Sequence, residues 1–265
     1  MSISPPPRAL IAATLQRRHK RFLADVTLEG GEALTAHCAN PGSMRGLLEE
    51  GARVWLSDSY DPQDPKTHAR KLRYSLEHIE LRGAGGGPGA LVCVNTLRAN
   101  AVARLGVAAG RVPALRGLAL RPEAPWRGSE AARFDFALHA PAAAPAEGAP
   151  LGYLEVKSAS LSLSPGEAAF PDSVTARGQR HLRALMEVRR AGLRAVLLFV
   201  VTRDDAHAFR PAHELDPAYA ALLSAARAAG VEVYAHACHI DPHAPPGPSA
   251  PAGVTLGAAL PIVYS

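Results

Sequence analysis

Gly152-Tyr-Leu-Glu-Val-Lys-Ser158 is an apolar strand interrupted by two charges, and its reading decides the fold of the chain. Glu155 and Lys157 stand two residues apart, so on a strand both point to one face. Arg133-Phe-Asp-Phe-Ala-Leu138 before it is a second strand that sets Asp135 among apolar residues, and an Ala/Pro turn from Pro141 to Pro150 joins the two. Further on, Asp172 to Ala191 has helical spacing, with Asp172 or Ser173 as the expected N-cap. Arg194-Ala-Val-Leu-Leu-Phe-Val-Val-Thr202 is continuously apolar, the mark of a strand buried on both faces. Pro217 to Ala229 is a helix ended by Gly230, and Val231-Glu-Val-Tyr-Ala-His236 is a last strand. Upstream, Asn95 to Ala109 is helix-like. Strand, strand, helix, buried strand, helix, strand predicts an α/β sheet with mixed connections. The Pro/Gly/Ala-rich tail after Asp241 is expected to be loosely held.

The chain ahead of this region has a different rhythm. Arg21-Phe-Leu-Ala-Asp-Val-Thr-Leu-Glu29 alternates and runs into Gly30-Gly31, a hairpin turn signal, with Glu32-Ala-Leu-Thr-Ala-His-Cys38 as its partner strand. Ala52-Arg-Val-Trp-Leu-Ser57 and Lys71 to Leu81 add a short and a longer strand. Short strands separated by Gly, Asn and Pro predict a small barrel, and at this length a five-stranded oligonucleotide-binding (OB-like) β-barrel. The glycine-rich break from Gly83 to Gly89 is taken as the boundary, giving an OB-like domain over residues 1–83 and an α/β domain over 84–265.

The 265 residues are comfortable for two domains. Hydrophobic residues make up 48% and charged residues 20%, which excludes a disordered chain. The net charge of +5 is concentrated: Arg8, Arg17, Arg18, Lys20 and Arg21 precede any acidic residue, and Lys66, Arg70, Lys71 and Arg73 follow in the same half. One such cluster is usually a solvated face; two favour a phosphate-binding surface. Three cysteines, Cys38, Cys93 and Cys238, with no CxxC spacing fit neither a disulfide framework nor a zinc ribbon. Ala9 to Leu15 is too short for a signal peptide, and no apolar run reaches membrane-spanning length. The expectation is a cytoplasmic protein with no membrane partner.

Asp135 and Glu155 lie about one hairpin apart, so adjacent strands would bring both carboxylates to one point. Two carboxylates in a half-buried place repel one another unless a cation sits between them. Mg2+ (or Mn2+) needs few hard oxygens, and the Val156 carbonyl is an available third. Lys157 would assist an attacking water or steady developing phosphate charge. An Asp followed by Glu-x-Lys on the next strand resembles the PD-(D/E)xK nuclease superfamily, in which a helix carrying a residue such as Gln179 follows. Glu130 is a further candidate ligand. A plain surface pair between Glu155 and Lys157 is the competing explanation.

The chain also resembles the sugar fermentation stimulation protein A family. The resemblance is carried by Lys20-Arg-Phe-Leu-Ala-Asp-Val26, His37-Cys-Ala-Asn-Pro-Gly-Ser-Met44, Cys93-Val-Asn-Thr-Leu-Arg-Ala-Asn100, Glu130 with Arg133-Phe-Asp-Phe136, Leu154-Glu-Val-Lys-Ser158, and Phe170-Pro-Asp-Ser-Val-Thr-Ala-Arg-Gly-Gln-Arg-His-Leu182. It implies an N-terminal OB barrel, a C-terminal PD-(D/E)xK nuclease-like α/β domain with a mixed sheet, DNA binding, and a regulatory link to sugar (maltose) fermentation genes. It does not decide whether the chain cuts nucleic acid. Two departures stand out: Ala39 and Pro41 where the family block has Pro and Thr, and Ala176 where an acidic residue often precedes Arg-Gly-Gln. The second puts more of any metal binding on Glu130, Asp135 and Glu155.

The expected assignment is therefore Asp135, Glu155, Lys157 and Gln179 as catalytic residues, and Glu130, Asp135 and Glu155 as metal ligands. Arg17, Arg18, Lys20, Arg21, Lys71, Arg177 and Arg180 are the expected contacts to DNA or RNA. His181 is open between a backbone contact and a helix-surface pair. Asn40, Gly42, Ser43 and Asn95 read better as turn formers than as ligands. His37 with Cys38 reads as structural, and His236, Cys238, His239 and His243 lack the paired spacing of a zinc site. Trp55 and Trp126 are too few to read a stacking platform. A non-catalytic DNA-binding regulator stays open as the alternative function.

Overall fold

The computed structural model describes residues 9–68, 70–83, 89–141, 148–245, 247 and 249–264. Two compact units divide the chain: residues 1–98 with 202–205 and 239–255, and residues 99–201 with 206–238 and 256–265.

The first unit is built on β1 (Ile11–His19), β2 (Leu23–Leu28), β3 (Ala33–His37), β4 (Arg53–Asp58), a single-turn α1 (Pro65–His68), β5 (Tyr74–Glu80) and β6 (Leu91–Cys93). The strands pair in the order β3-β2-β1-β4-β5-β6, and a β3–β5 pairing closes the first five into a barrel. The expected five-stranded barrel is present. β1 is the strand that the sequence reading left out. Ala13 and Leu15 point inward while Thr14 and Gln16 face out, so the run ahead of Arg17 is half of a hairpin rather than a bare apolar patch. Lys20 and Arg21 form its turn, both in the left-handed region at φ 47° and 64°, as tight hairpins require. Leu15, Val26, Val54, Leu56, Leu76 and Ile79 fill the barrel.

The boundary at Gly83 differs from the compact units. β6, beyond the glycine-rich break, pairs antiparallel with β5 (His78 opposite Cys93, Glu80 opposite Leu91), so the first unit runs on to Arg98. Its two later contributions, 202–205 and 239–255, carry no periodicity that a single sequence would reveal.

The second unit holds most of α2 (Arg98–Ala108), then β7 (Ala119–Trp126), β8 (Ala132–His139), β9 (Gly152–Ala159), β10 (Leu161–Ser164), β11 (Glu167–Phe170), α3 (Ala176–Arg190), β12 (Arg194–Val201), β13 (Ala208–Pro211), α4 (Pro217–Ala228), β14 (Glu232–Ile240) and β15 (Val254–Ala259). Six strands form one sheet in the order β15-β14-β12-β9-β8-β7, and β10-β11-β13 form a smaller one. β12 is parallel to both β9 and β14, whereas β8 is antiparallel to β9, so the sheet is mixed as expected. β12 is buried along almost its whole length, as its apolar run requires. β7 escaped the sequence reading because Pro122 and Pro125 argue against a strand; it lies at the sheet edge, where missing N–H donors are tolerated. The tail is also more ordered than expected, since β15 pairs onto β14.

Helix α3 packs Leu182, Leu185 and Val188 into the core with Leu197, Phe199 and Tyr219. Its N-cap is Thr175, whose Oγ1 accepts from Gly178 N at 3.0 Å, and not Asp172 or Ser173. Asp216 caps α4 by accepting from Tyr219 N, and Gly230, at φ 88°, follows its C-terminus.

Candidate active site

The β8–β9 register runs Leu138 opposite Gly152, Ala137 opposite Tyr153 and Phe136 opposite Leu154. The ladder ends at that pair, and just beyond it Asp135 lies within range of the charges of Glu155 and Lys157. There the ladder gives way to side chains. The Val156 N–H donates to Asp135 Oδ2 at 2.8 Å, so Val156 supplies a donor to the carboxylate. Asn100 Nδ2, from α2, donates to Asp135 Oδ1 at 2.7 Å.

Glu155 is only 3% exposed. Its Oε1 accepts from Lys157 Nζ at 2.5 Å and lies in hydrogen-bond contact with His181 Nδ1. The same His181 nitrogen is 3.3 Å from Lys157 Nζ. Glu155 Oε2 is buried with no protein partner. A buried carboxylate oxygen without a donor is costly, so this atom is the least explained polar group of the site.

The two carboxyls are driven in opposite directions. Burial, reinforced by the charge of Glu155, raises Asp135 above the ordinary carboxylate range, against the hydrogen bonds from Val156 and Asn100 and the Lys157 charge. Burial also pushes Glu155 up, but the Lys157 ammonium and the His181 hydrogen bond together outweigh it and hold Glu155 low. Tyr219, fully buried with an unpartnered hydroxyl, is raised by burial and then by the charge of Glu155.

Asp135, Glu155 and Lys157 therefore converge, and the other expected residues take different places. Gln179 Nε2 donates to both oxygens of Asp216, at 3.0 and 3.2 Å, so it ties α3 to the cap of α4. Glu130 is held through its backbone N–H, which donates to the Glu187 carboxylate beside Ser129 and Trp126 Nε1. Among the described residues no three His, Cys, Asp or Glu side chains form a ready metal-binding group, neither with Glu130 nor in the His236 to His243 stretch. Asn100 and His181 are the residues that the sequence reading did not assign to the centre. His181 is buried against Glu155 and the edge of Phe134, not displayed on the helix surface. Its signal was its helical register with the apolar side of α3, three residues after Gly178 and four before Leu185.

The basic residues divide as well. Lys20, Arg21, Lys71, Arg177 and Arg180 are exposed. Arg17 is exposed but paired with Asp25 at 2.8 Å, which helps hold Asp25 down at about 2. Arg18 corrects the expectation of a phosphate contact. Its guanidinium donates to the carbonyls of Asn40 (2.8 Å), Gly42 (3.0 Å) and Ser43 (3.4 Å), and to Arg21 O (2.9 Å), so it braces the barrel's turns. Asn40 accepts from Gly42 N through Oδ1 and donates to Val94 O, the turn role expected of it.

Comparison with known proteins covers nearly the whole chain. The family model described as "SfsA N-terminal OB domain" matches residues 17–94, and that described as "Sugar fermentation stimulation protein RE domain" matches residues 97–244. The sugar fermentation stimulation protein homolog of Magnetococcus marinus is 48% identical over 233 residues, 88% of this chain and 91% of that protein. The homolog of Jannaschia sp. is 42% identical over 257 residues, 97% of this chain and 95% of its own length. Among solved structures, Pyrococcus furiosus SfsA in complex with Ca2+ superposes with a TM-score of 0.77 at 24% identity, covering 99% of this chain and 98% of that one.

Proposed function

This chain belongs to the sugar fermentation stimulation protein family, and from that premise we propose that it binds DNA and hydrolyses phosphodiester bonds at Asp135, Glu155 and Lys157 with Mg2+ or Mn2+. The observation that carries the proposal is the unpartnered, buried Glu155 Oε2 next to a second carboxylate whose ionisation Glu155 opposes. That donor set fits a hard divalent cation, which would relieve both defects at once. Asp135 and Glu155 are the residues to hold it. The binding of Ca2+ by the Pyrococcus furiosus relative, an oxygen-seeking ion, is consistent with this chemistry. When bound, the cation supplies Lewis-acid polarisation of the phosphate and a lowered pKa for the attacking water.

The protein groups have separate tasks. Asn100 and the Val156 N–H orient the Asp135 carboxylate. Glu155 holds the Lys157 ammonium in place, and His181 Nδ1 braces the same carboxylate oxygen, so that the ammonium balances charge that develops on the phosphate. Gln179 acts at a remove, by fixing the start of α3 and so the depth of His181. The exposed Lys20, Arg21, Lys71, Arg177 and Arg180 provide salt-sensitive contacts to the strand. A second reading, a DNA-binding regulator of sugar (maltose) fermentation genes that does not cut, is favoured by one observation: the Lys157 ammonium is closed into a 2.5 Å pair with Glu155.

The experiment is incubation of the protein with labelled single- and double-stranded DNA and RNA in Mg2+, Mn2+ or EDTA, beside Asp135→Asn and Lys157→Ala. Metal-dependent cleavage that both variants lose, with DNA affinity largely kept, is the expected result. Binding without cleavage under every metal condition would make the regulator the better account.

A further inference from the structure

The first unit carries a cleft that the centre in the second unit does not use. The ends of β4 and β5 meet with Ser57 opposite Ser75 and Asp58 opposite Tyr74. Beside them a cleft of about 540 Å3 is lined by Ser57, Ser59, Arg70, Ser75, Asn95 and Arg98. Its floor is preorganised. Glu77, fully buried, accepts from Ser57 Oγ at 2.6 Å, from Asn95 Nδ2 at 3.1 Å and from Arg98 Nε and Nη2 at 2.9 and 2.5 Å. That bidentate grip fixes the guanidinium plane of Arg98, whose side chain remains 33% exposed. A guanidinium has five N–H donors, so the outer ones stay available to a ligand in the cleft. Arg70 adds an exposed cation with no acidic partner among the described residues. Asp58, also on the wall, is bound bidentately by Arg73 at 2.9 and 2.6 Å, so its charge is offset.

The same strand ends carry an aromatic cluster. The Tyr60 and His68 rings stack with centroids 4.9 Å apart. The Arg73 guanidinium lies 5.0 Å from the Tyr60 ring centre and 5.1 Å from that of Tyr74. His68 and Arg73 are the exposed members of this cluster, so they offer π-surface to a ligand in solution. Fixed cations and hydroxyls next to a stacked aromatic cluster match the two halves of a nucleotide, its phosphate and its base.

We propose that this cleft is a nucleotide subsite for a single strand of nucleic acid. A backbone phosphate is taken by Arg98, Arg70 and the Ser75 hydroxyl, and the adjoining base lies on the Tyr60–His68–Arg73–Tyr74 cluster. It rests on the nucleic-acid reading of the chain but not on cleavage. Both faces of a duplex base pair are already stacked, so this subsite selects a strand with free bases.

The test is fluorescence anisotropy of a labelled oligothymidylate in EDTA at fixed salt, with wild type, Arg70→Glu, Tyr60→Leu and the control Arg111→Glu, an exposed cation of the second unit. Arg70→Glu and Tyr60→Leu are each expected to weaken binding roughly tenfold. Arg111→Glu, with the same change of net charge, should weaken it no more than about twofold. The thermal midpoint of Arg70→Glu, a surface change, should match that of wild type. Unaltered binding by both cleft variants would remove the subsite while the wider nucleic-acid reading stood, as would an equal loss in the Arg111 control. Failure of wild type to bind any oligonucleotide would remove both. Saturable binding of AMP or inorganic phosphate without oligonucleotide binding would replace the strand by a free nucleotide or anion.

Discussion

Glu77 and Glu155 are both buried glutamates on strands, each paired with a cation, and they are in opposite states of completion. Glu77 has both oxygens occupied, by Ser57, Asn95 and the two donors of Arg98. Glu155 concentrates Lys157 and His181 on one oxygen and leaves the other bare. Burial by itself does not distinguish them, at 0% and 3% exposure. What differs is the count of donors against lone pairs: a saturated carboxylate holds a fold together, and a half-saturated one keeps lone pairs that the proposed cation would satisfy.

Neutralising each glutamate in turn separates the two most strongly. Glu77→Gln removes the counter-charge of the one-third-exposed Arg98 and mismatches the buried donors around it, and should cost about 2–3 kcal/mol. Glu155→Gln in EDTA keeps an acceptor for Lys157 and removes the repulsion on Asp135, and should cost less than about 1.5 kcal/mol. Denaturant titration followed by circular dichroism of the two variants measures the gap; equal losses would erase the distinction.

Adding the proposed cation separates the two glutamates further. Mg2+ at a hundredfold excess over its dissociation constant should stabilise the wild type by about 2.7 kcal/mol. Asp135→Asn should show no rise in thermal midpoint with Mg2+, while Glu77→Gln, though less stable, should keep its rise.

The pH dependence is subtler. Asp135 is raised in the folded state, so the fold binds its proton more tightly than the unfolded chain does. Stability from this group is full below the ordinary value of 3.8 and is lost as pH rises through the folded value. In EDTA, Asp135→Asn should therefore gain on wild type as pH climbs from 3.8 toward neutrality. Glu155 works the other way, its stabilisation present above 4.5 and lost as pH falls through its lowered value. A wild type and an Asp135→Asn that stay parallel across this range would contradict the assignment. Smaller still, Gln179→Ala should cost about 1 kcal/mol by freeing Asp216, with metal binding kept. A loss of metal affinity there would place Gln179 in the centre after all.

Much of this was legible in the sequence because periodicity and charge spacing are local. β8, β9 and β12 were visible as strands, and a two-residue spacing was enough to put Glu155 and Lys157 on one face. The convergence of Asp135 followed from one hairpin. What the sequence concealed depends on distant partners. Arg18 reads as one more cation in a basic run, and only the folded turn at 40–43 makes it a brace. Gln179 sits in the block that resembles the family, yet its amide is directed at Asp216, 37 residues on. His181 became a partner of Glu155 because α3 packs its apolar side on the sheet, which a helical wheel could have suggested. The division at Gly83 failed because a glycine-rich break looks the same whether it separates domains or lies between two paired strands.

Titration of the purified protein with Mn2+, followed by the electron paramagnetic resonance of the free ion, asks whether Asp135 and Glu155 form a divalent-cation site. Saturable uptake by wild type and Glu77→Gln, abolished in Asp135→Asn and Glu155→Gln, is the predicted result. Uptake that Asp135→Asn and Glu155→Gln retain unchanged, or no uptake by wild type at millimolar Mn2+, would contradict it.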